Sequence, residues 1–298
     1  MKTTTISLYR CGWLAALLVF FTAVSAQPEA DNLNPVYKVS MSTISYTPKA
    51  KQETVGSVLT DLTKIAMTGQ SSRQQDQYAD AVRAAITAGV GRVRRFSVVE
   101  GQFVPGEVAD SEVAFYVDGT IGTIATTQKT ITPEDKKKQP YDVFKGQVSA
   151  TLHLKDVHTD AVISTETFSI TGSDGSWIET AEGALNDAMK TLSGRITRYF
   201  NNCFPLRARI VEQGEVKKEK LKGVFMDIGA AAGAYKDQHY DVFVVRIIAG
   251  KEAKHKIGRV RITEVMGDDI SQCKVTKGGE EIKAALDEHL MLVASSTD

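Results

Sequence analysis

The sequence predicts an α+β chain in two parts, a mixed or antiparallel sheet covered by helices followed by a small β-barrel. Three observations predict it. The 298 residues are 42% hydrophobic and 24% charged, which is enough apolar material for about two domains with separate cores. Up to residue 200, stretches of strand periodicity alternate with stretches of helical periodicity. Beyond Asn201-Asn202-Cys203-Phe204-Pro205 the pattern becomes short strands punctuated by glycine, as a barrel or sandwich requires. The 36 basic and 36 acidic side chains cancel. A nucleic-acid binder needs an excess of positive charge to displace counterions, so that class is excluded. Collagen-like, coiled-coil and low-complexity compositions are excluded as well.

Residues 1–26 read as a secretory signal peptide: Lys2 and Arg10 make a basic start, Gly12 to Val24 is almost wholly apolar, and Val24-Ser25-Ala26 is a small-residue cleavage site. The apolar run of about 13 residues is too short for a bilayer core that needs roughly 20. Cys11 precedes that run and no cysteine follows it within Thr22–Gln27, so no lipid anchor is expected. The expected product is periplasmic, cleaved after Ala26. Residues 27–35 form a polar, proline-flanked lead-in.

The first domain is expected over 36–202. Val36 to Tyr46 alternates apolar and polar residues as a strand does. Val55, Val58, Leu59, Leu62, Ile65 and Ala66 recur at helical spacing, and so do Tyr78, Val82, Ala85, Ile86 and Val90. Arg92 to Glu100, Val113–Ile124, Asp142–Val157 and Ala161–Thr171 read as strands, with Pro133–Pro140 an exposed loop. A helix is expected from Trp177 to Phe200, opened by a capping box of Ser176 and Glu179. The second domain, 203–298, reads as strands Leu206–Glu212, Val216–Lys220, Gly223–Ile228, His239–Ile248, His255–Met266 and Ile270–Val275. A short helix and a closing strand follow within Glu280 to Ala294.

Chemistry-bearing patterns are few. There is no Gly-x-Ser-x-Gly, Walker loop, His-Glu-x-x-His or Ser-x-x-Lys. His153, His158, His239, His255 and His289 stand singly, so neither a metal nor a cofactor is expected. Ser173 beside Asp174 lacks a histidine near in sequence. Asp227-Ile-Gly-Ala-Ala-Ala-Gly233 has the wrong glycine spacing for a dinucleotide loop and reads as a turn. Asp268-Asp269 and Glu280-Glu281 lack the alternating oxygen ligands of a calcium loop. Two cysteines follow the leader. In an oxidising compartment the even count predicts a Cys203–Cys273 disulfide, which would close a loop of about 70 residues and contribute on the order of 4 kcal/mol.

Several short motifs carry a likeness. Tyr78-Ala-Asp-Ala-Val-Arg-Ala-Ala-Ile86, Arg95-Phe-Ser-Val-Val-Glu100, Asp118-Gly119-Thr120-Ile121 and the strand–turn–strand run Leu152-His-Leu-Lys-Asp-Val-His-Thr-Asp-Ala-Val-Ile163 resemble the curli assembly/transport component (CsgG-like) family. Asp160 stands where that hairpin usually has glycine, a change that Asp tolerates in left-handed turns. Gly223-Val-Phe-Met-Asp-Ile-Gly229, Ala234 to Phe243 and Ile257-Gly-Arg-Val-Arg-Ile262 are similar to the C-terminal barrel of flagellar assembly protein T. The resemblance implies a non-enzymatic envelope protein, a scaffold or adaptor in a periplasmic or outer-membrane machine. The alternative is a subunit of an outer-membrane secretion channel of the curli-transport type. Expected partners are envelope proteins, further copies of the chain and the outer-membrane surface at its periphery, with no nucleic acid.

Overall fold

A computed structural model describes residues 33–46, 72–99, 101–103, 108–109, 112–135, 137–171 and 174–297, with side chains from Tyr78 onward in the first helix. The expected leader (1–26), most of the lead-in (27–35), the expected helix around Val55–Ala66 and Ser173 lie outside the described residues. The chain forms two compact units, residues 37–197 and residues 198–298 together with the segment ending at Val36.

In the first unit, strands β1 (Tyr37–Tyr46), β2 (Phe96–Val99), β3 (Ala114–Ile131), β4 (Tyr141–Asp156) and β5 (Val162–Ile170) form one sheet in the order β2-β1-β3-β4-β5. β1 runs parallel to both neighbours and the other pairs are antiparallel, so the sheet is mixed. The parallel β1–β2 pair needs a long crossover, and helix α1 (Ser72–Gly91) lies within it. Alternation in β4 sends Val148, Ala150, Leu152 and Leu154 to the buried face. Helix α2 (Ala181–Cys203) supplies Ala184, Leu185, Ala188, Leu192 and Ile196, and α1 supplies Ala79, Val82, Ile86 and Val90, all buried at three- and four-residue spacing. The helices meet where Gly89 lacks a side chain: a Cβ there would lie 2.9 Å from the Ser193 carbonyl oxygen, and Thr197 Oγ1 donates to Gly89 O at 2.7 Å.

α2 begins four residues later than its apolar periodicity suggests. Ile178 instead pairs with Phe144, with N–H to O bonds of 2.7 and 2.9 Å in both directions. Thr180 caps the helix, its Oγ1 accepting from Gly183 N at 3.1 Å. Ile178 is apolar because it extends the sheet, so its place in the helical spacing is coincidental. β3 is also longer than expected, running to Ile131. Its polar Thr126–Thr130 stretch continues a two-stranded ribbon with β4, from Ile124↔Val148 to Ile131↔Tyr141, past the last pairing of β5 at Ile170.

The second unit is a closed barrel in the order β10-β11-β12-β9-β6-β13. Its strands are β6 (Arg207–Gln213), β9 (Gly223–Met226), β10 (His239–Ile248), β11 (Lys251–Val265), β12 (Ser271–Lys277) and β13 (Leu292–Thr297), with a small hairpin of β7 (Val216–Lys217) and β8 (Lys220–Leu221). Tyr240, Val242, Val260, Ile262, Val224, Met226, Ala208 and Ala294 fill the lumen with no solvent exposure. Helix α3 (Gly279–Asp287) packs Ile282 and Ala285 into the barrel core. Gly278, at φ +74°, makes the entry to the helix: a Cβ there would lie 2.0 Å from the Ile257 carbonyl oxygen.

Candidate docking surfaces

The structure disperses the residues that carry chemistry. His153 Nδ1 lies 2.9 Å from Thr165 Oγ1 on the sheet's open face, and His158 Nε2 lies 2.8 Å from the Glu112 carbonyl in the β4–β5 turn. In the barrel unit His239 lies on β10, His255 on β11 and His289 in the turn between α3 and β13. Among the described residues no three His, Cys, Asp or Glu side chains gather as a metal would need. No described helix is long and apolar enough to cross a membrane.

Each suspicious turn is occupied by its own structure. Asp174 accepts from Thr171 N at 2.6 Å, from Thr171 Oγ1 at 2.9 Å and from the Arg195 guanidinium. Those bonds, led by the Thr171 amide, hold its carboxyl down at about 2, so it is a fixed anion clamping the end of β5 to α2. It is no general base. In 227–233 the amides of Ala230 and Ala231 donate to Gly267 O and Asp268 O at 2.9 and 3.2 Å, and those of Gly233 and Ala234 close the turn on itself. They are spent, and only a three-residue 3₁₀ turn (Ala230–Ala232) follows, so no phosphate cradle forms. Burial pushes the Asp227 carboxyl up, partly offset by its bond from the Arg209 amide. Glu280 pairs with Lys220 at 2.8 Å. Asp160 sits at φ +55°, the left-handed turn expected of it, and Asp156 accepts from His158 N and Thr159 N at 3.1 and 2.8 Å beneath it.

The expected Cys203–Cys273 disulfide is not present; both residues are thiols. Parity in sequence carries no direction. Cys273 falls on the inward phase of β12, 1% exposed in the barrel core, whereas Cys203 is half-buried as the last residue of α2. Burial pushes the Cys273 thiol up to about 12. A folded value above the unfolded one means the associated stability is full below the ordinary thiol range and is lost as pH rises toward that value. Denatured protein treated with alkylating reagent but no reductant is therefore expected to take label at both cysteines, while native protein at pH 8 is protected at Cys273. A 203–273 cross-linked peptide in the mass spectrum would contradict this.

What the first unit does expose is backbone. Among the described residues no strand pairs with the outer edge of β5. Arg195 Nη1 donates to Ser169 O at 3.0 Å, capping that edge at one end. In an antiparallel ladder outward-pointing residues alternate, so Thr165 and Thr167, in phase with Ser169, also turn N–H and C=O outward. The close Thr151–Thr167 and His153–Thr165 side-chain contacts, 3.0 and 2.9 Å, are those of non-hydrogen-bonded pairs. Glu166, on the opposite phase, is half-buried, and burial raises its carboxyl. The adjoining β3–β4 ribbon is braced by Trp177, 40% exposed, with Lys145 and Lys129 ammonium groups 5.1 and 5.9 Å from its ring centre. Sequence periodicity finds these strands but not their order, so it could not mark β5 as the edge.

No protein-family model matches the sequence, and no curated protein matches it. Among solved structures, a neuraminyllactose-binding hemagglutinin homologue from Helicobacter pylori is 10% identical with a TM-score of 0.30, over 59% of this chain and 87% of that one. A PelC dodecamer from Paraburkholderia phytofirmans is 14% identical with a TM-score of 0.26, over 54% and 86%. Neither likeness is close enough to carry a fold or a role to this chain.

Proposed function

We propose that this chain is an exported, non-enzymatic envelope protein that acts as a scaffold or adaptor by strand addition to the outer edge of β5. The observation that carries this reading is the row of outward backbone groups at Thr165 and Thr167, a ready template for an incoming strand. The leader-like residues 1–26 support export to the periplasm. The mixed sheet, its β4–β5 hairpin with Asp160 in a left-handed turn, and the following barrel support the CsgG-like and flagellar-assembly-protein-T-like reading of the two units. Partners on this reading are envelope proteins or further copies of the chain. The secretion-channel alternative has strands of sufficient length, yet the exposed Thr127–Thr130 stretch lacks the apolar alternation that a lipid-facing strand needs.

The test is Thr167→Pro. Proline removes an outward N–H and leaves the β4 ladder intact. The variant is expected to keep its melting temperature within a few degrees and to lose its co-assembly with envelope partners in the producing cell. Full co-assembly by Thr167→Pro, or substrate turnover by the purified chain, would overturn the reading.

A further inference from the structure

The β10–β11 hairpin outruns the barrel wall. Its register continues to Ile248↔Lys251, whereas β13 last pairs with β10 at Val244↔Leu292. A two-residue turn closes it, with Ala249 at φ +51° and Gly250 at φ +77°, both positive as a tight hairpin turn prefers. Ile247 and Ile248 are 76% and 62% exposed. They fall on opposite faces of the ribbon, so the tip is apolar all round.

Behind the tip, Met291, 60% exposed, accepts from Val245 N at 3.1 Å. Val211, 55% exposed on β6, continues this apolar end of the wall. Arg246, Lys251 and Lys254 surround the tip with three positive charges against one acid, Glu252. An apolar wedge with a cationic collar differs from a flat protein-binding pad. It presents its greasy residues in two directions, which suits immersion and not contact on one side.

We propose that the Ile247–Ile248 hairpin tip enters the interface of a bilayer carrying anionic phospholipid, with Arg246, Lys251 and Lys254 at the headgroup level. The cross-strand ladder pairs the inward-facing backbone groups of the ribbon, and those on its two outer edges stay at the interfacial level, where water and headgroups supply partners. Partial burial, and next the positive charge of Arg207, hold the Lys254 ammonium below the usual lysine range; a phosphate nearby would relieve that. This inference stands on the barrel surface alone and does not rest on strand addition at β5.

Flotation with vesicles of phosphatidylcholine, with and without phosphatidylglycerol, tests it on the full chain purified from its producing cells. The Ile247→Ser/Ile248→Ser double variant shares the same N terminus, so any apolar leader cancels in the comparison. Wild type is expected to float with the anionic vesicles, and the double variant to bind on the order of tenfold or more weakly. Lys251→Gln is expected to weaken binding roughly fivefold, and less so at high salt. Because both isoleucines are exposed, circular dichroism and melting of the double variant should match wild type. Wild type that stays in the dense fraction, a double variant that floats equally well, or a wild-type oligomer that the double variant dissolves would each overturn the proposal.

Discussion

Gly146→Ala is expected to unseat α2 from the sheet. A Cβ at Gly146 would lie 2.2 Å from the Ala184 carbonyl oxygen, 2.7 Å from its carbon and 2.9 Å from Ala188 Cβ. Two of those atoms are backbone, so no rotamer change makes room. Either the ribbon bends away or the first turns of α2 lift, and Ala184, Leu185 and Ala188 lose their burial together. Overpacking of this kind costs about 3 kcal/mol, roughly 6–12 °C in melting temperature for a unit of this size. Gly122→Ala is the internal control. Its Cβ would meet only Ser149 Oγ at 3.0 Å, an atom that can rotate away, and a loss below about 1 kcal/mol is expected there. Equal losses at the two positions in denaturant titrations would contradict the packing described.

Tyr240→Ala should be comparably severe in the barrel. The ring is fully buried, and its hydroxyl donates to Gln238 Oε1 at 3.0 Å. Truncation opens a large cavity in a closed wall that cannot collapse, at about 3–5 kcal/mol. Tyr240→Phe keeps the volume and loses the hydroxyl's bond to the buried Gln238, for about 1 kcal/mol. The midpoint of chemical denaturation should therefore order as wild type, then Tyr240→Phe, then Tyr240→Ala, with little change in slope. A Tyr240→Ala protein as stable as wild type would show that the lumen is not the core of this unit.

Most barrel strands were legible to within a few residues, but Val216–Lys220, read as one strand, is the β7–β8 hairpin, turning at Lys218 and Glu219 with positive φ. His239–Ile248 matches β10, because alternation broken by glycine turns has few competing readings. The α+β class of the first unit was legible for the same reason. Ile178 misled the reading of α2, since an apolar residue facing one core looks alike on a strand and on a helix. The Cys203–Cys273 pairing misled because counting thiols ignores where each one sits: Cys273 faces inward on β12, whereas Cys203 ends α2. The docking edge was illegible for a topological reason: β5 is the fifth strand in sequence and the last in space, and only the assembled sheet says that nothing described lies beyond it. The surroundings of the turns were legible only in part: Asp174 is held by Thr171, three residues away, whereas the Ala230 and Ala231 amides donate to Gly267 and Asp268, which only the closed barrel brings beside them.

Strand addition at β5 is tested most directly by photo-crosslinking in intact cells, with the reactive group placed at residue 167 and, as control, at residue 152 on the buried face of β4. A discrete heavier species from 167, absent from 152 and lost with a Thr165→Pro change, is the predicted result. No adduct at 167 above the level at 152 would contradict the claim that the chain works through this edge.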